Sequence, residues 1–243
     1  MPQLSLNLVA LAIFFVTMTS LLGPIVHLSP AVPAIVAAGA LGLAAIDTLS
    51  WQGQGSTLML DWLAGFSSQH RARVTRHEAG HFLVAHLLGI PVTGYTLSAW
   101  EALRQGYPGE GGVRFDSQEL ESELSQNKLS AQLLNRYCTI WMAGIAAETL
   151  IYGNVEGGGD DRQKLQGVVA QLPLPAQERE QKQRWATLQA KTLLESHTEA
   201  YAALLEAMEA GSSVEQCVVA IEQAQEQPQA SELRVESDGT ANS

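Results

Sequence analysis

Arg76-His77-Glu78-Ala79-Gly80-His81-Phe82 is the stretch on which the reading of this chain turns. His77 and His81 are four residues apart, a spacing that on a helix rotates a side chain by about 40° and advances it by about 6 Å. Both imidazoles then lie on one face and can bind one tetrahedral metal ion. Glu78 projects close to that face and acts on the metal's water rather than on the metal itself. A surface helix with two unrelated histidines is the plain alternative. The apolar residues Val74, Phe82, Leu83, Val84, Leu87 and Leu88 argue for a buried helix instead. It is expected to begin at Ser67 or Ser68, either of which can cap it, and to stop after Leu88 at Gly89-Ile90-Pro91. Gly80 costs about 1 kcal/mol of helix propensity, and close approach of another element beside the metal would offset it. His86 is turned about 140° from His81, and His70 lies about 10 Å along the axis from His77. Neither can join the pair.

A catalytic zinc takes three protein ligands and a water. Residues 128–152 read as a long buried helix in which Glu148 interrupts an apolar face. A buried carboxylate needs a partner or a metal. Glu148 is therefore a ligand, an acceptor for a histidine N–H, or an exposed acid at the helix end. Gly153 ends that helix, and Gly157-Gly158-Gly159-Asp160-Asp161 follows. Asp160 suits the start of the next helix, where capping and the helix dipole both favour a carboxylate. Asp161 precedes Leu165 by four residues, on the face continued by Val168, Val169 and Leu172, and so points inward. The expected site is Glu78 as general base, with His77, His81 and Asp161 as ligands to Zn2+. Asp160 is the nearest rival for the third position, with Glu148 behind it.

The rest of the chain frames this centre. Its 243 residues carry a net charge of -11, which argues against a nucleic-acid partner. The first charged residue is Asp47 and the first basic one Arg71. Leu4–Leu22 is uncharged, Gly23-Pro24 breaks it, and Ala31–Ser50 is a second apolar run ending at Trp51. Because about 20 helical residues cross a bilayer's hydrocarbon core, the expectation is a two-helix transmembrane hairpin. Arg71, Arg73 and Arg76 follow it, which places the remainder on the cytoplasmic or stromal-equivalent side. A signal peptide lacks its positive n-region here, and a buried soluble hairpin is the other alternative.

Gln52–Ser56 reads as a linker and Thr57–Phe66 as an amphipathic segment. Residues 92–97 and 113–115 read as short strands around a glycine-rich loop, and in zinc peptidases such an edge strand can hold a substrate backbone. No phosphate-binding Gly-Lys-[Ser/Thr] motif occurs. Cys138 and Cys217 fall in apolar helical patterns and are expected as buried free thiols. Residues 176–209 read as one helix, 214–225 as a last short one, and 227–243 as a disordered polar tail.

His77-Glu78-Ala79-Gly80-His81 resembles the motif of the FtsH-type zinc peptidases, the M41 family. Ala143-Gly144-Ile145-Ala146-Ala147-Glu148 is similar to that family's G-G-R-x-A-E-E segment, with Ile145 in place of arginine. Gly153-Asn154-Val155-Glu156, Gly158 and Asp160-Asp161 resemble its G-E-x-T-T-G-A-S-N-D stretch, aligned with a one-residue gap. The resemblance implies that Asp161 takes the role of that stretch's final Asp, the third zinc ligand. It covers about residues 67 to 210. FtsH proteins place an AAA+ ATPase between membrane and peptidase, and only a short linker stands there in this sequence. The implied organisation is a mainly α protein with four parts: a transmembrane hairpin (1–51), a linker and amphipathic segment (52–66), a helical zincin-like peptidase domain with a small β element (67–225), and a polar tail (226–243).

The implied function is a membrane-anchored zinc metalloendopeptidase acting on membrane or membrane-proximal proteins. Its partners would be protein and peptide substrates, the lipid bilayer, and a separate AAA+ ATPase or FtsH-type subunits, with a homo-oligomer as a further option. A catalytically silent scaffold or assembly factor is the second reading, although H-E-x-x-H is complete. A site-2-type intramembrane protease is the third. Against it, three arginines precede the motif and the apolar run after it is too short to span.

Overall fold

The computed structural model describes residues 2–27, 29, 31–50, 68–107, 111–126, 128–172 and 175–226. The chain divides into two compact units, one of residues 1–68 and 98–111, the other of residues 69–97 and 112–243.

In the first unit, helices α1 (Pro2–Leu22) and α2 (Ala31–Ser50) are joined by a 3-10 turn, Gly23–Val26. Pro24 fits the first turn, where its missing N–H is not needed. His27 ends the turn in the left-handed region at φ 57°. Both helices form where apolar sequence was expected to form them, but the transmembrane hairpin needs correction. Among the described residues no helix is long and apolar enough to cross a membrane. α1 spans 21 residues but carries Ser5, Asn7, Thr17, Thr19 and Ser20 among its apolar ones, and α2 spans 20 and carries Asp47, Thr48 and Ser50. Ala and Gly supply much of the second stretch and add little apolar surface. Trp51, the linker at 52–56 and the amphipathic segment at 57–66 lie outside the described residues.

The second unit opens with α3 (Ser68–Leu87), which carries the histidines. It stops as its sequence requires. Gly89 sits at φ +70°, and the N–H groups of Gly89 and Ile90 donate to the carbonyls of His86 and Ala85 at 3.0 and 2.9 Å. Pro91 then prevents continuation. Strand β1 (Val92–Thr96) follows and pairs antiparallel with β2 (Gly112–Phe115), Val92 opposite Phe115 and Thr96 opposite Gly112, with an irregularity at Thr93. Between the strands in sequence, and belonging to the first unit, lies α4 (Ala99–Arg104), capped by Ser98 accepting from the Glu101 N–H at 3.1 Å.

Helix α5 (Gln118–Ser125) leads to α6 (Ala131–Tyr152). Ser130 caps α6 by accepting from the Leu133 N–H at 3.2 Å, and Gly153, at φ +71°, ends it. α6 is buried almost continuously from Leu133 to Glu148. Helix α7 (Gly159–Val169), α8 (Ala176–Ser196), α9 (Thr198–Glu209) and a last helix α10 over 214–226 complete the unit. The single helix expected over 176–209 is two, because His197 leaves helical geometry at φ -128°. The tail at 227–243 lies outside the described residues. α6 packs most extensively against α8, and a core of Phe82, Leu83, Tyr137, Ile140, Met142, Leu165, Val169, Leu204, Met208 and Ile221 is fully enclosed. Burying each large apolar side chain contributes about 1.5–3 kcal/mol. This core holds α3, α6 and α7 in fixed relation.

α3 meets α6 at the motif itself. A Cβ on Gly80 would stand 2.8 Å from the Ala143 carbonyl oxygen and 2.9 Å from the Ala147 Cβ. The glycine's propensity cost is thus the condition for α3 to lie directly on α6.

Candidate metal centre

Three elements converge on one point. α3 contributes His77 and His81 from successive turns, with ring centroids 4.8 Å apart. The start of α7 contributes Asp161. Its Oδ2 lies 3.1 Å from His77 Nε2 and 3.3 Å from His81 Nε2. His77, His81 and Asp161 are all buried, at 8%, 5% and 8% exposure. One ligand atom from each lies within 4.8 Å of the others, so the group could hold a metal ion.

The far side of each ring is fixed. His77 Nδ1 meets Glu148 Oε1 at 2.8 Å, and His81 Nδ1 meets the Ile140 carbonyl at 2.7 Å. A carbonyl only accepts, so His81 Nδ1 carries the proton and Nε2 is left for the centre. Glu148 does the same for His77. Such partners set the tautomer and orientation of ligating histidines. Glu148 is thus an acceptor for a histidine rather than one of the three converging groups. Asp160, the other rival, is exposed.

Steric fit is equally specific. A Cβ on Gly144 would lie 2.2 Å from His77 Nε2, and one on Gly157 would lie 2.9 Å from Glu148 Oε1. Glycine at both positions lets the imidazole and its carboxylate partner lie against bare backbone. Gly158, at φ +76°, adopts the left-handed turn that opens α7. His70 and His86 take no part in the converging group.

Glu78 occupies the same face. Its Oε2 accepts the Val113 N–H of β2 at 2.9 Å, a backbone contact from the hairpin to the motif. Burial pushes the Glu78 carboxyl up, and the charges of His81 and His77 oppose this without cancelling it. Asp161 goes the other way. Burial would raise it, but the charge of His81 and the hydrogen bonds from both imidazoles hold it well below the usual carboxylate range. His77 is lowered by burial, yet its hydrogen bonds to Asp161 and Glu148 prevail and carry it up to about 10. A bound metal ion must replace a proton on Nε2.

The donor set fits a tetrahedral divalent ion. With bonds of about 2.0–2.1 Å, tetrahedral ligand atoms stand about 3.3 Å apart, close to the two measured separations of 3.1 and 3.3 Å from Asp161 Oδ2. No protein-family model matches the sequence, and no curated protein matches it. The case for the site therefore rests on its own geometry.

Sequence reasoning missed Arg73. Its Nε donates to Glu148 Oε2 at 2.7 Å. The available signal was its position four residues before His77, one helical turn earlier on the same face.

Proposed function

We propose that the chain is a zinc metallopeptidase, cleaving peptide bonds in unfolded or flexible protein segments. The observation that carries this reading is a buried carboxylate, Glu78, on the same helical face as a two-histidine, one-aspartate ligand set. Zinc is the ion whose preferences suit it, because nitrogen and oxygen donors in three positions leave a fourth open for water or substrate. When bound, zinc supplies Lewis acidity toward a carbonyl oxygen and lowers the pKa of its water.

The chain's own residues supply the rest. Glu78 accepts a proton and passes it to the leaving amine, and its upward shift brings its basicity closer to neutral pH, where proton transfer is most efficient. The Val113 N–H anchors Oε2 and leaves Oε1 to carry that proton. Glu148 and the Ile140 carbonyl hold both imidazoles with Nε2 facing inward. An extended substrate segment would lie along the β1–β2 hairpin, by backbone pairing of the kind strand addition provides.

Metal content measured by mass spectrometry on wild type, His81→Ala and Asp161→Ala, alongside casein cleavage, tests the proposal. About one zinc per wild-type chain is expected, lost with cleavage in both variants. Wild type purified and reconstituted without zinc uptake would refute the metal reading. Zinc uptake without cleavage of casein would refute the peptidase and favour a scaffold.

A further inference from the structure

We infer that Arg73 is a positioning residue for the metal centre, acting through Glu148 on His77; this rests on the metal reading above. Arg73 stands on α3 one turn before His77, and its side chain is 12% exposed against 2% for Glu148. The two oxygens of Glu148 are divided between tasks. Oε1 meets His77 Nδ1 at 2.8 Å and accepts the Gly157 N–H at 3.1 Å. Oε2 accepts Arg73 Nε at 2.7 Å and the Glu156 N–H at 2.9 Å. No rotation of the carboxylate can serve His77 differently without breaking the arginine bond.

The guanidinium has further holds of its own. Nη2 donates to the Asn154 carbonyl at 2.9 Å and to its side-chain oxygen, and Nη1 pairs with Glu156. The guanidinium carbon stands 4.4 Å from the Tyr152 ring centroid. One planar cation therefore ties α3, the end of α6 and the 153–157 segment that leads to Asp161. α3 carries His77 and His81, α6 carries the His77 partner Glu148, and the 153–157 segment leads into α7, which carries Asp161. A lysine there would keep the charge but lose the fork that fixes direction.

A buried ion pair by itself is weak evidence of anything beyond packing, so the test must separate positioning from support. Zinc affinity of the full chain, by competition with a chromophoric chelator, is measured for wild type, Arg73→Lys, Glu148→Gln and the double variant. Ring-nitrogen NMR of His77 in the metal-free protein gives a second readout. Arg73→Lys is expected to weaken zinc about 10-fold and Glu148→Gln about 10–100-fold, with the double variant no weaker than Glu148→Gln alone. The His77 Nδ1 resonance should move in Arg73→Lys. Unchanged affinity in Arg73→Lys, or losses that simply multiply in the double variant, would overturn the inference. Should Glu148→Gln fail to fold, an unmoved His77 signal in Arg73→Lys overturns it alone. A wild type that takes up no zinc would instead remove the metal reading, so the two failures are distinct.

Discussion

His77 lies against the bare backbone of Gly144, where an added Cβ would stand 2.2 Å from Nε2 and 2.4 Å from Cδ2. The nitrogen that must face the metal is the one a methyl group would displace. The ring is held on its other side by Glu148, whose Oε1 meets Nδ1 at 2.8 Å. Gly144→Ala is therefore expected to cost about 1–3 kcal/mol of stability by overpacking. It should also weaken zinc by on the order of 100-fold, at the upper end of what loss of ligand orientation costs. Chelator competition and thermal unfolding measure the two effects separately. Wild-type affinity in this variant would mean that His77 Nε2 does not face the ion.

Asp160 and Asp161 are neighbours in sequence but not in environment. Asp161 Oδ2 touches both imidazoles, whereas Asp160 is exposed in the first turn of α7. Asp161→Asn should abolish stoichiometric zinc uptake. Asp160→Asn should leave it intact and lower stability by only about 0.3–1 kcal/mol, the worth of an acid near an exposed helix N-terminus. Metal analysis of the two purified variants, with the roles reversed, would move the third ligand to Asp160.

What could be read from sequence was whatever local periodicity encodes. The i, i+4 histidines, the glycine stop at Gly89 and the inward face shared by Asp161 and Leu165 are all properties of one helix at a time. Glu148 stayed undecided between ligand and hydrogen-bond partner, since its role depends on His77, 71 residues earlier in the chain. Arg73 was passed over for the same reason, its partners being Glu148, Asn154 and Glu156 rather than anything nearby. The break at His197 escaped notice because apolar spacing continues through Leu193, Leu194, Leu204 and Leu205 on both sides. Sequence with a single charge, Asp47, across 4–50 gave helices, but it gave no described span long and apolar enough to cross a membrane.

Glu78 makes no bond to the three ligating side chains and keeps its place through the Val113 N–H. Glu78→Gln preserves the shape and an acceptor oxygen for that N–H but removes the base. Zinc affinity should stay within a few-fold of wild type, while peptide cleavage falls by about 10²–10⁴, the usual contribution of general acid–base catalysis. Parallel chelator and casein assays on one preparation decide it. A variant that loses zinc as well would make Glu78 a ligand rather than a base.

Cys138, buried on α6, links stability to alkaline pH. Burial pushes its thiol up to about 11 from 9.0, with the Lys182 charge opposing. Between these values the unfolded chain has already lost a proton that the folded chain keeps. The unfolded state thus binds fewer protons, and stability must fall as pH rises through that window. Two pH units correspond to roughly 2–3 kcal/mol at most. Tyr137, pushed up to about 12 mainly by burial, adds to the same trend above pH 10. Urea unfolding of wild type and Cys138→Ala at pH 7.5, 9 and 10.5 isolates the thiol, because only the slope against pH is compared and not the cavity cost. The variant's slope should be shallower. Equal slopes, or rapid reaction of Cys138 with a thiol reagent in the folded protein at pH 8, would mean that the thiol is not enclosed as described.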